Sequence, residues 1–131
     1  MHRLVLIAML AAAGQAAAQA PDGKTLFAKN CAACHQVTGA GIPGAFPALR
    51  GNAFVQGDAA AVIATVLKGR GGMPAFGATL DDEKIALALS YVRSAWGNQA
   101  GAVDAATVQA VRSGSGAAAV TKPQDKGTII H

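Results

Sequence analysis

The chain has 131 residues, which suits one domain. It is 52% hydrophobic but only 5% aromatic, and 32 residues are alanine, so large side chains to fill a core are scarce. The net charge of +4 is small and scattered, which excludes a strongly basic nucleic-acid binder, and two cysteines exclude a disulfide-dense scaffold.

Residues 1–20 read as an export signal. His2 and Arg3 form a short basic start, and residues 4–13 are an apolar stretch of the right length for a signal core. Ala16, Ala18 and Ala20 then supply small-x-small cleavage patterns. The apolar run is too short for easy spanning, so no stable membrane span is expected after cleavage. Removal of this segment leaves ten basic against seven acidic residues, one methionine (Met73) and two histidines (His35 and His131).

Helical signals follow. Residues 22–33 predict a first helix, capped by Asp22, with Leu26, Phe27 and Cys31 on one face. Residues 39–51, with four glycines and two prolines, predict a loop. Asp58 predicts the cap of a second helix that carries Val62, Ile63, Val66 and Leu67 on its apolar stripe and ends at Gly69. A second Gly-rich loop holds Met73 and Pro74. Residues 82–96 give the strongest helix, with Asp81 as cap and Leu80 and Ile85 at hydrophobic-staple spacing. Ile85, Leu89, Val92 and Trp96 recur at helical spacing, and Gly97 is read as the stop. A short helix is predicted over residues 104–112, then a flexible tail. No run of residues alternates like a strand.

Cys31-Ala32-Ala33-Cys34-His35 carries the chemistry. C-x-x-C-H is the signature of covalent haem attachment. Two cysteines three apart lie on one side of a helical turn, so both sulfurs can bond to one edge of a haem, and the next residue offers an imidazole to the iron. A dithiol redox site and a half zinc site share the C-x-x-C spacing. The first expects a βαβ setting, and the second needs further donors. Met73 is the candidate for the opposite axial position, since it lies between glycines and a proline rather than on an apolar helix face. His131 and an open site are the alternatives.

From about Asp22 to Asn98 the chain resembles a class I cytochrome c of the small bacterial monohaem type. The resemblance is carried by Gly23, Phe27, Cys31, Cys34, His35, the Phe46-Pro47-Ala48-Leu49 loop, Met73-Pro74 and Tyr91. It implies an all-α, cytochrome c-like fold of about three main helices wrapped around one covalent haem c. Gly23 would let the first and last helices cross closely, with Phe27 and Tyr91 packed at the crossing. The Pro47 carbonyl would accept the His35 Nδ1–H. His35 and Met73 would be the iron ligands. The implied organisation is a signal peptide at 1–20, a cytochrome c domain at 21–98 and an extension at 99–131.

The expected function is one-electron transport in the periplasm rather than enzymatic catalysis. The partners implied are dehydrogenases, respiratory complexes or terminal oxidases, with the protein either a free carrier or a subunit. A five-coordinate haem that binds gases or acts like a peroxidase is the alternative. Leu49, Phe54, Val62, Val66 and Phe76 are candidates for the pocket wall. Lys24, Lys29, Arg50, Lys68 and Arg70 could form a basic rim that steers an acidic partner.

Overall fold

The computed structural model describes residues 20–115. The expected signal, except Ala20, lies outside the described residues, and so do His131 and the rest of the tail. The described chain is all-helical: α1 (Gly23–Asn30), α2 (Ala32–His35), α3 (Ala53–Gln56), α4 (Ala59–Lys68), α5 (Asp82–Ser94) and α6 (Ala105–Arg112). Only two isolated β-bridges, Ile42 with Phe46 and Arg70 with Met73, interrupt the loops. No helix among the described residues is long and apolar enough to cross a membrane.

Four aspartates start four helices. The side chains of Asp22, Asp58, Asp81 and Asp104 accept from the backbone N–H groups of Thr25, Ala60, Lys84 and Thr107 at 2.7, 3.1, 2.9 and 2.7 Å. Each satisfies a donor that the first helical turn leaves free. The expected first helix breaks at Cys31, so α1 and α2 are separate elements. α3 has no counterpart in the sequence reading. Four residues are too few for a periodic pattern, and it is set by Asn52, whose side chain accepts from Val55 N–H at 3.1 Å and donates to the Ala48 carbonyl at 2.8 Å.

α1 lies against α5. A Cβ built on Gly23 would fall 2.2 Å from the Leu87 carbonyl oxygen, so glycine is what lets the two backbones touch. Phe27 sits beside the crossing, 5.6 Å from Tyr91 and 5.1 Å from Trp96 between ring centroids. Here the structure departs from the periodic reading. α5 ends at Ser94, two residues early, and Trp96 adopts φ +54°. The chain reverses there, so the indole packs edge-on against Phe27 and Tyr91 and donates to the Val37 carbonyl at 3.1 Å. That tertiary contact outweighs the continuing helical pattern.

The core falls into two clusters. Phe27, Val55 and Val92 form one, with Cys31, Ala32, Leu49, Tyr91 and Trp96 packed around it. Val62, Ile63, Leu67, Ile85, Leu89, Val103 and Val108 dominate the other. The second cluster runs past residue 98, where the compact unit was expected to end. α6 packs on α4 and α5, and Val108 is fully buried.

Candidate haem-binding site

α1 closes with Cys31 N–H donating to the Phe27 carbonyl at 2.9 Å. The chain then kinks, and α2 restarts with Cys34 and His35 N–H both donating to the Cys31 carbonyl, at 3.2 and 2.9 Å. One turn of backbone thus sets the spacing of Cys31, Cys34 and His35. Both cysteines are free thiols and half-buried. Burial, with Cys34 beside it, pushes the Cys31 thiol up to about 11.

His35 is the last residue of α2 and is buried. Its Nδ1–H donates to the Pro47 carbonyl at 2.9 Å; a carbonyl can only accept, which places a proton on Nδ1. Glycine brings that carbonyl within reach. Gly41 has φ +62°, its N–H donates to the His35 carbonyl at 2.9 Å, and a Cβ there would meet the Pro47 carbonyl oxygen at 2.6 Å. No described side-chain nitrogen or oxygen is both sealed from solvent and unpartnered. Nε2 of His35 has no partner among the described residues and is not sealed from solvent, so it is the ring nitrogen left to meet a ligand.

The apolar surroundings point the same way. Ile42, Phe46 and Phe54 are 41, 37 and 42% exposed. A domain of this size normally buries such side chains in one contiguous core, whereas this chain has two clusters and leaves them open. Among the pocket-wall candidates, Val62 is buried within the second cluster, Leu49, Val66 and Phe76 are half-buried, and Phe54 is exposed. Two free thiols one turn apart, an oriented imidazole and unfilled apolar surface fit a haem. They do not fit zinc, because no group of three His, Cys, Asp or Glu donors gathers among the described residues.

Met73 stands in a separate loop. Gly69 ends α4 with φ +75°, and a Cβ there would lie 2.6 Å from the Met73 carbonyl oxygen. Arg70 N–H donates to the Met73 carbonyl at 3.1 Å, and Met73 N–H to the Arg70 carbonyl at 2.9 Å. Met73 is half-buried. The structure therefore brings Cys31, Cys34, His35 and Pro47 together, and holds Met73 on a distinct, hydrogen-bonded turn. Arg70 links that turn to α3, its guanidinium 5.7 Å from the centre of the Phe54 ring. Lys24, Lys29, Arg50, Lys68 and Arg70 are all exposed.

Two fastening residues escaped the sequence reading. Asn98 is 3% exposed: its side-chain oxygen accepts from Gly51 N–H at 2.8 Å, and its nitrogen donates to the Leu49 and Val92 carbonyls at 3.1 and 2.8 Å. Arg93 is buried and donates to the Val55, Gly57 and Gly101 carbonyls at 2.7, 3.0 and 2.9 Å. Both act on main-chain atoms of distant loops, which no local motif reveals. A charged residue inside the apolar pattern of α5 was the one available signal for Arg93.

Residues 18–92 match the family model described as cytochrome c oxidase, cbb3-type, subunit III. Cytochrome c-552 of Thermus thermophilus is 39% identical over 109 residues, covering 71% of this chain and 72% of that protein. The cbb3-type cytochrome c oxidase subunit CcoP of Azospirillum brasilense is 39% identical over 90 residues, covering 63% of this chain and 30% of its own. The cytochrome c subunit of a quinone alcohol dehydrogenase from Gluconobacter oxydans is 33% identical over 108 residues, covering 72% of this chain and 23% of that subunit. The chain thus spans less than a third of the last two relatives.

Proposed function

This chain belongs to the cytochrome c family, with Cys31 and Cys34 as its C-x-x-C pair for covalent haem c, and on that footing we propose that it is a periplasmic one-electron carrier with His35 and Met73 as iron ligands. Bound haem c supplies the Fe(II)/Fe(III) couple. The chain's own residues do the rest. Cys31 and Cys34 anchor one edge through thioether bonds. His35 presents Nε2, held by its Nδ1–H bond to the Pro47 carbonyl; that bond orients the ring and strengthens it as a donor. Met73 supplies a soft thioether that favours the reduced state. Held by both His35 and Met73, the haem would serve electron exchange rather than the binding of substrate or oxygen.

The His35–Pro47 bond at 2.9 Å carries this reading, because it leaves Nε2 free beside two free thiols. The oxidase and dehydrogenase relatives support exchange of electrons with a dehydrogenase, respiratory complex or terminal oxidase, as a free carrier or as a subunit. The predicted signal supports export, and 21–98 with an extension at 99–131 is the proposed organisation of the mature chain.

The test is a reduced-minus-oxidised spectrum of wild type and Met73→Ala. Wild type is expected to show a low-spin c-type haem that acidified organic solvent does not extract. Met73→Ala is expected to become high-spin and to bind carbon monoxide rapidly. A low-spin Met73→Ala would remove Met73 from the iron. Rapid carbon monoxide binding by wild type would favour the five-coordinate alternative.

A further inference from the structure

We infer that Arg112 of α6 is a positioning residue for Met73, clamping the segment that leads out of the Met73 turn so that the thioether is held in place to ligate. The inference rests on the proposed ligation by Met73. It concerns an element outside the matched family region, since α6 begins after residue 92.

The Arg112 fork reaches two carbonyls in the connection between the Met73 turn and α5, and a carboxylate on the first residue of α5. Nε donates to Asp82 Oδ1 at 2.7 Å, one terminal nitrogen donates to the Gly77 carbonyl, and the other donates to the Leu80 carbonyl at 3.0 Å. Gly77 lies four residues after Met73. Its own N–H donates to the Leu67 carbonyl at 3.1 Å, next to Phe76 N–H on the Val66 carbonyl at 2.9 Å. The Gly77 residue is therefore held by the end of α4 on one side and by α6 on the other. A Cβ there would come within 2.8 Å of the Leu67 carbonyl oxygen, so the packing admits glycine alone.

The turn is thus closed at its entrance by the Arg70–Met73 pair, and at its exit by the Phe76 and Gly77 amides on α4 together with Arg112. Between them Pro74 and Ala75 are exposed. Arg112 stands on a firm base, because Val108 on the same helix is fully buried among Val62, Ile63, Leu67, Ile85 and Leu89. The ion pair with Asp82 is about one-third exposed on the arginine side and contributes little by itself. The planar fork, which reaches two carbonyls and a carboxylate at once, is what lysine cannot reproduce. Its loss would leave the exit of the turn held by the α4 bonds alone, and would let Met73 leave the iron more often.

The experiment uses the haem-loaded protein and the variants R112Q, R112K and D82N. Three quantities are measured: the rate at which imidazole displaces the axial ligand of the ferric form, the reduction potential, and amide hydrogen exchange at residues 76–80. In R112Q we expect displacement about tenfold faster, equivalent to ~1.4 kcal/mol, with a lower potential and faster exchange at 76–80. R112K should follow R112Q, whereas D82N, which keeps both carbonyl contacts, should stay within about twofold of wild type. If R112Q does not retain haem, R112K decides the question alone. Wild-type displacement and potential in R112K would overturn the inference, even with faster exchange at 76–80. An equal effect from D82N would also overturn it, because charge rather than the fork would then be responsible. Met73→Ala separates the two levels: if it remains low-spin, the ligand assignment fails and the inference with it, while the exchange data still report whether Arg112 holds the segment.

Discussion

Gly23→Ala tests the close approach on which the fold depends. The added Cβ would sit 2.2 Å from the Leu87 carbonyl oxygen and 3.0 Å from both the Leu87 carbonyl carbon and the Tyr91 Cβ. An ordinary carbon–oxygen contact is about 3.3 Å, so α1 and α5 would have to separate by about 1 Å. The two nearest obstacles are backbone, which cannot swing aside as a side-chain tip would. Overpacking of this kind costs about 1–3 kcal/mol. Alanine returns up to about 1 kcal/mol through helix propensity, less at a first helical position. The net loss should be about 1–2 kcal/mol, or a fall in Tm of roughly 4–16 °C for a domain near 100 residues. Thermal and urea unfolding at matched haem content measure it. Gly101→Ala is the control, because nothing lies within 4 Å of a Cβ there and its φ is not positive. It should be neutral or gain a few tenths of a kcal/mol. Equal stability of the two variants would refute the close-contact reasoning.

Arg93→Met should cost about 2–4 kcal/mol in urea unfolding, because it strands the Val55, Gly57 and Gly101 carbonyls that the guanidinium serves; Arg93→Lys should recover less than half. Trp96→Phe keeps an aromatic ring against Phe27 and Tyr91 but loses the bond to the Val37 carbonyl, and should cost about 1 kcal/mol, against about 3–5 for Trp96→Ala. Three capping aspartates make stability depend on pH. The Thr25 amide and hydroxyl for Asp22, the Lys84 ammonium and amide for Asp81, and the Thr107 amide and hydroxyl for Asp104 hold these carboxyls below their ordinary value of 3.8. Depressed folded-state values mean that the contribution is complete above that value and is lost as pH falls through the lower folded ones. Tm measured from pH 6 to pH 2 should therefore fall less in the triple Asp→Asn variant than in wild type; parallel curves would sink the assignment.

Asp22, Asp58 and Asp81 were legible as caps because a cap is a local event: the side chain bonds an amide two or three residues on, and sequence order places both groups. Gly23 was legible only through the resemblance, since one glycine does not say what approaches it. Trp96 misled because its helical spacing from Val92 is real, but the ring finds its partners by leaving the helix. Val103 and Val108 fall in the expected extension beyond residue 98, and their place in the core was not legible because their burial comes from α4 and α5, far away in sequence. The site follows the same division. Cys31, Cys34 and His35 are contiguous and could be read directly. Asn98, Arg93 and Arg112 reach main-chain atoms 30 to 50 residues away, and nothing near them in sequence announces the partner.

Those three side chains share one physical logic. The segments that hold the site are loops: 39–51 carries Pro47, 69–77 carries Met73, and neither has a helix ladder to stiffen it. Asn98 fastens the first through Gly51 and Leu49, Arg93 fastens α3 through Val55 and Gly57, and Arg112 fastens the exit of the second. Apart from the Arg112 bond to the Asp82 carboxylate, all three bind backbone rather than side chains, so they fix the path of a loop whatever its side chains are. A redox centre needs this. An electron crosses fastest when the ligands keep the same positions in both oxidation states, and a ligand on an untethered Gly-rich loop would relax after each transfer. The rigidity of this site therefore comes less from the signature residues than from polar side chains on α5, just beyond it and on α6, which turn two glycine-rich loops into fixed supports for His35 and Met73.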